Sequence, residues 1–217
     1  LDFPQPDKLA PPLLSLDRVS VGYTPGEPVL KNLTLRIDEE DRIALLGANG
    51  NGKSTFAKLI ANRLSAQKGE VRRSKKLKIG YFAQHQLEEF DENATPYEHI
   101  LRKAPSLSHT SSRAFLGKFG LTHTLADVKL KNLSGGEKAR LNFALISLEK
   151  PNILILDEPT NHLDIKSRQA LMMALNAFEG AVILITHDTD LLVSTMERLW
   201  LVANQKIEPY KGDLSDY

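Results

Sequence analysis

The segment GANGNGKST at residues 47–55 has the composition of a loop that holds phosphate groups. Gly47, Gly52, Lys53 and Ser54 occupy the fixed positions of the pattern G-x-x-x-x-G-K-[ST]. Glycines let backbone N–H groups curl around phosphate oxygens without a clash from Cβ atoms. A Gly- and Asn-rich turn without a ligand is the alternative. The apolar run RIALLG before the segment and the amphipathic pattern after it favour the phosphate loop.

The side chains at the end of this loop would have separate roles in binding ATP. Lys53 would place a positive charge at the β- and γ-phosphates, and the Ser54 hydroxyl would ligate Mg²⁺. Backbone N–H groups carry the other contacts, so the asparagines of the loop do not weaken binding. The predicted nucleotide-contacting residues of the loop are Gly47, Ala48, Asn49, Gly50, Asn51, Gly52, Lys53, Ser54 and Thr55.

Two adjacent carboxylates follow a second apolar run, ILIL at residues 153–156. Asp157 and Glu158 would then lie at the carboxyl end of a parallel strand, the edge where ligands bind in such sheets. We expect Asp157 to hold Mg²⁺ through water, and Glu158 to orient or deprotonate the attacking water. A pair of solvated acids after a strand is the alternative, which fits poorly with the preceding apolar run and with Pro159 directly behind.

Three further side chains follow strand-like segments. His187 follows AVILIT and is predicted to contact the γ-phosphate, although a lone histidine is often only a surface or core residue. Gln84 follows KIGYFA and is predicted to ligate the metal and the attacking water. With Lys53 and Glu158, these two residues complete the predicted catalytic set. Tyr23, in VSVGYTPGEP, is predicted to stack on adenine; a tyrosine that covers the core is the alternative.

A second glycine turn, LSGGE at residues 133–137, leads into another helical pattern. One phosphate loop has one nucleotide to hold. We therefore predict that Ser134, Gly135 and Gly136 face the γ-phosphate of a nucleotide bound by another copy. Two such domains, arranged head to tail, would enclose two ATP molecules. The same residues also predict an ordinary capping box, with Ser134 as N-cap and Glu137 as its partner, and both interpretations can hold together.

The elements that would position these residues alternate between strands and helices. The strand-like segments are LLSLDRVSV, LTLRI, RIALLG, KIGYF, NILILD and AVILITH, and LWLVANQKIEPY predicts a hairpin. Residues from about 86 to 148 are helical in pattern, with Thr95 placed as a cap and Pro96 in the first turn. The chain therefore predicts an α/β fold with a mostly parallel sheet and an inserted helical subdomain.

The composition is that of an ordinary globular protein. The 217 residues include 41% hydrophobic and 25% charged side chains with a net charge of +1, so the average charge favours no polyanionic partner. The absence of cysteine is compatible with the cytoplasm, where we expect the chain to reside. No apolar run approaches the ~18–20 residues of a membrane span. Residues 1–12 contain four prolines and are expected to be a linker remnant of a longer chain.

Over residues 13–217 the sequence resembles the ATP-binding cassette (ABC) superfamily. Five motifs carry the likeness, in order: the phosphate loop 47–55, Gln84, the turn 133–137, the strand with its acids 153–158, and His187. The resemblance implies the ABC ATPase fold of P-loop NTPases, with an N-terminal antiparallel β-subdomain. It also implies ATP hydrolysis at a dimer interface that closes on ATP and opens after hydrolysis, with Asp164 on the segment that crosses between partners.

Within the superfamily, DEPTNHLD at residues 157–164 is similar to the ABC-F class, as are YFAQHQ and LSGGEKARL. ABC-F proteins carry two cassettes in one chain, and many act on the ribosome near its tRNA sites. The resemblance thus implies a second cassette, the ribosome and tRNA as partners. The leader and the tail GDLSDY resemble the second cassette of such a chain. The stretch between Gln84 and Ser134 leaves no room for the extra arm of the class.

Two other functions stay open at this point. An ATPase subunit of a membrane transporter would use the same chemistry, and a second cassette in the same polypeptide would argue against it. A non-catalytic, nucleotide-gated module is the other alternative, which the presence of Glu158 and His187 disfavours. The basic run RRSKKLK at residues 72–78 predicts either contact with ribosomal RNA or a solvated strand edge protected by lysines.

Overall fold

The computed structural model describes residues 1–214, so the last three residues of the GDLSDY tail lie outside the described part of the chain. Within that part the strands are β1 (Leu14–Val21), β2 (Leu30–Ile37), β3 (Arg42–Leu46), β4 (Lys68–Arg73), β5 (Ile79–Ala83), β6 (Ile153–Asp157), β7 (Ala181–Ile185), β8 (Arg198–Ala203) and β9 (Lys206–Pro209). The α-helices are α1 (Lys53–Ile60), α2 (Pro96–Lys103), α3 (His109–Gly117), α4 (His123–Ala126), α5 (Gly135–Ser147), α6 (Ile165–Ala177) and α7 (Thr189–Thr195). None of these helices combines the length and apolar character needed to cross a bilayer.

The larger sheet contains six strands in the order β5-β6-β7-β3-β8-β9. The first five run parallel, and β9 returns antiparallel to β8, which confirms the predicted hairpin. Strands β3, β6 and β7 are almost wholly buried. Their unbroken apolar sequences follow from this position, because both faces of a parallel sheet are covered and neither side of the strand meets water.

The larger sheet separates two hydrophobic cores. Along β6, Ile153 and Ile155 pack into one core, and Leu154 and Leu156 pack into the other, as the two-residue period of a strand requires. The first core also holds the apolar faces of α1 and of the smaller sheet. The second holds residues of the helices between β5 and β6 and of α6 and α7. The two layers therefore pack on opposite faces of this sheet.

The smaller sheet is antiparallel, in the order β2-β1-β4. Its edge strand β4 carries the start of the basic run RRSKKLK. Arg73 donates to the carbonyl oxygens of Leu59 and Ile60 at 2.7 Å each, at the end of α1. Arg72 forms an ion pair with Glu70 at 3.1 Å. Two of the basic side chains thus have partners within the chain, and the strand-edge interpretation accounts for this part of the run.

The described chain between β5 and β6 contains helices and no strand. Two short 3-10 turns, Gln84–Glu89 and Leu130–Asn132, accompany helices α2 to α5. Thr95 caps α2 by accepting a hydrogen bond from the Glu98 N–H at 3.1 Å, and Pro96 lies in the first turn, as the sequence predicted. The boundaries of a separate helical subdomain at about 86 and 148 stay a prediction.

The proline-rich leader packs against the domain. The Phe3 side chain is 4% exposed, and its ring lies 6.1, 6.0 and 6.2 Å from the rings of Phe119, Phe143 and Phe178 in edge-on contacts. The Gln5 amide bonds to backbone groups at the end of α6, donating at 2.9 Å and accepting at 2.8 Å. The leader therefore contributes apolar surface to the core formed by α3, α5 and α6.

Truncation of Phe3 should therefore destabilise the fold. We expect Phe3→Ala to lower the free energy of unfolding by about 3 kcal/mol, the lower end of the range for removing a buried aromatic ring. Urea denaturation followed by circular dichroism would measure the change. Asp2→Ala, at the exposed neighbouring position, is the matched control and should leave the urea midpoint unchanged. Equal midpoints for all three proteins would mean that the leader does not pack on the domain in solution.

Candidate functional site

The residues predicted to act on phosphate meet at the carboxyl edge of the larger sheet. Strand β3 runs into the phosphate loop, β6 ends at Asp157, and β7 ends two residues before His187. Asp157 pairs with Ile185 in the register of the sheet, so the ends of β6 and β7 lie side by side. A cavity of about 480 Å³ opens at this edge, called here the phosphate-loop cavity. It is lined by Tyr23, Val29, Asn49, Gly50, Gly52, Lys53, Ser54, Thr55, Asp157, Glu158 and Ile185.

Two glycines of the loop have backbone conformations that residues with a side chain rarely adopt. Gly47 has a φ of +149°, and a Cβ atom there would lie 2.4 Å from the carbonyl oxygen of Val202. Gly52 has a φ of +110° and is the N-cap of α1. The loop can therefore turn tightly from β3 into α1. The first N–H groups of α1 have no partner within the helix, so they suit an anion.

The two polar side chains after Gly52 contact the loop and the neighbouring strand. The Lys53 ammonium donates a hydrogen bond to the carbonyl oxygen of Gly47 at 2.7 Å, which folds the side chain back over the loop. The Ser54 hydroxyl donates to Oδ2 of Asp157 at 3.0 Å. The Lys53 ammonium, the Ser54 hydroxyl and the Asp157 carboxylate thus lie together at the phosphate-loop cavity.

The pair formed by Ser54 and Asp157 suits magnesium. Mg²⁺ takes oxygen ligands, and in nucleotide sites it is held by one or two carboxylates together with substrate phosphates. Among residues 1–214, no group of three or more His, Cys, Asp and Glu side chains could hold a metal ion. The donors present therefore fit a magnesium ion that arrives with phosphate groups, and they do not fit an all-protein metal cage.

Burial raises the pKa of both acids at the end of β6. For Asp157, desolvation outweighs the hydrogen bond from Ser54 and the charge of Lys53, which favour the carboxylate. For Glu158, desolvation is again the largest cause of the raised pKa, and the charge of His187 opposes it. A carboxylate whose pKa is raised is a better acceptor for a proton from water, so the environment suits Glu158 to the role of general base.

Glu158 also has a strained backbone. Its φ is +51°, in the left-handed region that side-chain-bearing residues seldom adopt. Its N–H donates to the carbonyl oxygen of Ile185 at 2.7 Å, which stabilises the turn after β6. Oε1 of Glu158 lies 3.5 Å from Nε2 of His187, whose side chain is 70% exposed. Strain of this kind is concentrated at functional positions, so it singles out Glu158 among the acids.

Tyr23 lies at the rim of the phosphate-loop cavity. It is 57% exposed, so the alternative in which it covers the core is wrong. Its hydroxyl lies 3.3 Å from Oγ1 of Thr55 and 3.3 Å from Nζ of Lys58, and the Lys58 ammonium is 5.2 Å from the ring centroid. These contacts orient an exposed aromatic side chain beside the loop. Stacking on adenine stays a prediction.

Gln84 contacts the loop that follows the two acids. Its Oε1 accepts a hydrogen bond from Nδ2 of Asn161 at 2.7 Å, and its Nε2 lies 2.6 Å from Nε2 of His162. It is not among the residues that line the phosphate-loop cavity. A contact between Gln84 and a metal ion or water in that cavity requires another side-chain position, and its predicted role stays a prediction.

The second glycine turn borders a different cavity, of about 530 Å³, called here the signature cavity. It is lined by Ser134, Gly135, Gly136, Glu137, Arg140, His162, Asp164 and Ser167. The predicted capping box is present: Ser134 Oγ accepts from the Glu137 N–H at 3.1 Å, and Glu137 Oε1 accepts from the Ser134 N–H at 2.9 Å. The His162 imidazole lies so close that a Cβ atom on Gly135 would approach it to 3.2 Å. The turn is therefore constrained by its own chain and lies outside the phosphate-loop cavity.

The sequence did not predict three residues that lie at or beside these cavities. Asn161 and His162, within DEPTNHLD, contact Gln84, and His162 also lines the signature cavity. Their signal is their position, since polar residues directly behind strand-end acids lie at the same sheet edge. Arg140 borders the signature cavity and bonds to Ser167. The sequence signal for Arg140 is its positive charge, which lies about one turn after the glycines that begin α5.

The sequence matches the family described as ABC transporter over residues 30–161. It is 46% identical to the "Probable ATP-binding protein YheS" of Escherichia coli (strain K12) over 99% of this chain. It is 39% identical to "Protein GCN20" of Saccharomyces cerevisiae over 99% of this chain, and 40% identical to "ATP-binding cassette sub-family F member 3" of Mus musculus over 100%. The chain spans about a third of these relatives, covering 34%, 29% and 31% of their lengths.

Solved structures share the fold. One is the dimeric post-hydrolysis state of the ATP-binding cassette MJ0796 bound to ADP and Pi, with a TM-score of 0.76 at 24% identity over 92% of this chain and 100% of that one. Another is a bacterial Atm1-family ABC exporter with ATP bound, with a TM-score of 0.75 at 20% identity over 94% of this chain and 39% of that one. These similarities confirm the predicted fold class.

The raised pKa of Glu158 predicts that this acid weakens the fold at neutral pH. Between its unfolded and folded pKa values the folded chain binds the extra proton, so stability falls as pH rises through the folded pKa. Glu158→Gln removes that loss and should raise the urea midpoint at pH 8. The gain should disappear below about pH 4, where unfolded Glu is itself protonated. Glu149→Gln, at an exposed position, is the control for the substitution itself and should have the urea midpoint of the wild type at pH 8. A constant difference for Glu158→Gln across this range would contradict the pKa assignment.

Proposed function

This chain belongs to the ATP-binding cassette family, and from that premise we propose that it binds ATP with Mg²⁺ and hydrolyses it at an interface between two cassettes. The observation that carries the proposal is the collection of Lys53, Ser54, Asp157 and Glu158 around one cavity. The second glycine turn, which begins at Ser134, borders another cavity. One chain thus contains a phosphate-binding half and a separate half that suits the phosphates of a second nucleotide.

The phosphates of ATP would lie in the phosphate loop. Its N–H groups and the start of α1 would bind the phosphate oxygens, because the helix N-terminus presents unsatisfied donors. Lys53 would exchange its bond to the Gly47 carbonyl for the β- and γ-phosphates, which carry full negative charge. Tyr23, at the rim of the cavity, would stack on the adenine ring. Side chains thus orient both ends of the nucleotide.

Ser54 and Asp157 would hold the magnesium ion, Ser54 through its hydroxyl and Asp157 through a water molecule bound to its carboxylate. A bound Mg²⁺ would supply positive charge that offsets the negative charge of the phosphates. Glu158 would accept a proton from the attacking water, since burial raises its pKa. The exposed His187, 3.5 Å from Glu158, would contact the γ-phosphate and orient the Glu158 carboxylate. Gln84 would join this group after leaving Asn161.

A second cassette would complete each site. The Ser134 hydroxyl, the N–H groups of Gly135 and Gly136, and the start of α5 would face the γ-phosphate held by the partner's phosphate loop. Asp164 lines the signature cavity and would lie on the segment that crosses between cassettes. The solved neighbour MJ0796 is described as a dimer, which supports this arrangement. Closure on ATP and opening after hydrolysis would follow from the shared nucleotide.

The process that this ATPase serves is proposed to be translation on the ribosome in the cytoplasm. Support comes from the similarity to the sub-family F member 3 of mouse and from the ABC-F-like string DEPTNHLD. Lys75, Lys76 and Lys78 of the basic run are exposed, in contrast to the engaged Arg73, and they offer contacts to RNA phosphates. A membrane transporter subunit remains the rival function, and the ribosome experiment below separates the two.

Mixing two inactive variants tests the shared interface. Lys53→Ala removes a phosphate ligand. Ser134→Asp keeps an N-cap but places a negative charge against the partner's γ-phosphate. Each variant alone should hydrolyse ATP far more slowly than the wild type. Their equimolar mixture should regain activity, because a mixed pair contains one site with both wild-type halves. Phosphate release would be measured over a range of protein concentrations.

Ser134→Asn is the matched control, since it keeps the cap without the charge and should retain much more activity than Ser134→Asp. A mixture that stays as inactive as its components would contradict the interface. So would a wild-type rate per molecule that is independent of protein concentration down to the monomer range.

Replacement of Glu158 tests the chemistry and the partner together. Glu158→Gln should bind ATP normally and lose about 10²–10⁴-fold in turnover, because the proton acceptor is gone while the phosphate loop is intact. With ATP it should accumulate as a closed pair, visible by sedimentation velocity. Glu149→Gln should behave as wild type. Unchanged turnover of Glu158→Gln would refute its role as base.

The same trapped variant should sediment with purified ribosomes in ATP and not in ADP, if translation is the process served. Salt should weaken the association, since phosphate contacts release counterions. ATP hydrolysis by the wild type, together with no ribosome binding by the trapped variant, would refute the translational role and leave the hydrolysis proposal standing.

A further inference from the structure

A hydrogen-bonded pair of amide side chains is buried between the 3-10 turn Gln84–Glu89 and helix α5. Gln86 is 7% exposed and Asn142 is 3% exposed. Nδ2 of Asn142 donates to Oε1 of Gln86 at 3.0 Å. The same Oε1 accepts the backbone N–H of Ala83 at 3.2 Å, at the point where β5 becomes the turn. One carbonyl oxygen thus connects the end of a strand to the middle of a helix.

The pair borders a cavity of about 210 Å³ that Arg63, Glu89 and Lys103 also line, and its neighbours along α5 are apolar. Leu141, Phe143, Ala144 and Leu145, the neighbours of Asn142 along α5, are all buried hydrophobic residues. Two buried amides add little stability over a pair of apolar side chains of the same shape, because their hydrogen bond replaces bonds to water. The bond does, however, restrict how the two backbones can be arranged, since losing it leaves an amide unsatisfied. The bond between Gln86 and Asn142 therefore fixes the arrangement of the two backbone segments and adds little stability.

The two elements that the pair connects carry predicted residues of different half-sites. The 3-10 turn begins at Gln84, two residues before Gln86. Helix α5 begins after its N-cap Ser134, two turns before Asn142. A second, exposed connection runs through His162, which lies 2.6 Å from the Gln84 amide and packs on Gly135. The buried bond joins the elements internally, and the exposed contact joins them at the surface.

We propose that Gln86 and Asn142 are positioning residues for ATP hydrolysis: their buried bond sets the position of the Gln84 turn relative to the signature helix α5. The inference rests on the proposed function and goes beyond it by assigning residues that touch no nucleotide. Because the phosphate loop lies on other elements, the pair acts on the placement of Gln84 at the moment of reaction and leaves the binding of ATP unaffected.

Asn142→Ala breaks the bond and is the first variant. We expect its kcat to fall roughly tenfold to hundredfold, the effect of displacing a reacting group by about an ångström, with little change in KM for ATP. Ser147→Ala is the matched control. Ser147 is fully buried on the same helix, and its hydroxyl bonds only within α5, to the Phe143 carbonyl oxygen at 2.7 Å. It should lose stability without a loss in kcat.

Asn142→Leu separates the loss of the bond from a loss of stability. It fills the space of the amide with apolar atoms and leaves Gln86 Oε1 bonded to the Ala83 N–H, so its urea midpoint should return toward the wild-type value. Its kcat should stay as low as that of Asn142→Ala. Steady-state phosphate release and urea denaturation on the same preparations would supply both quantities.

Three outcomes would overturn the inference: a normal kcat for Asn142→Ala, a kcat of Asn142→Leu that recovers together with its stability, or an equal loss in Ser147→Ala. Failure of the proposed function gives a different result, because the wild-type protein would then not hydrolyse ATP at all. A loss in kcat that is confined to the variants of the amide pair supports the positioning role.

Discussion

The parallel register of β3, β6 and β7 is the constraint on which the candidate site depends. Three strands that run in the same direction must end at the same edge, so the phosphate loop, the two acids and His187 meet there although they are far apart in sequence. The same register makes the strands apolar throughout, since helices and the smaller sheet cover both faces. Core and site are thus products of one arrangement of the backbone.

Burial gives this edge its electrostatic character. The acids lie at the end of a dry strand, so the desolvation that raises the pKa of Asp157 and Glu158 comes from the same packing that stabilises the sheet. Lys53 and His187 supply the opposing charge without cancelling the effect. A site built on loops alone would be more hydrated, and its carboxylates would stay closer to their ordinary pKa. The sheet therefore both positions the two acids and raises their pKa.

Features encoded in adjacent residues were predictable from the sequence, and features encoded across the fold were not. The glycines of the phosphate loop and the caps at Thr95 and Ser134 are local, and all lie in the expected elements. Strand β4 was predicted only as the strand-edge interpretation of the basic run, because KGEVRR lacks the apolar alternation of a half-buried strand. The contact of Gln84 with His162 and the burial of Phe3 depend on segments distant in sequence, and no local pattern encodes them.

The left-handed backbone conformation of Glu158 affects which residues can replace it. A residue with a side chain at a φ of +51° costs about 1–3 kcal/mol relative to a relaxed conformation, and Gly or Asn would tolerate the turn better. The half-buried carboxylate adds a further penalty at neutral pH. Both terms push this position away from glutamate. A laboratory selection that rewards only heat resistance would therefore tend to replace Glu158, at the expense of the general base proposed for ATP hydrolysis.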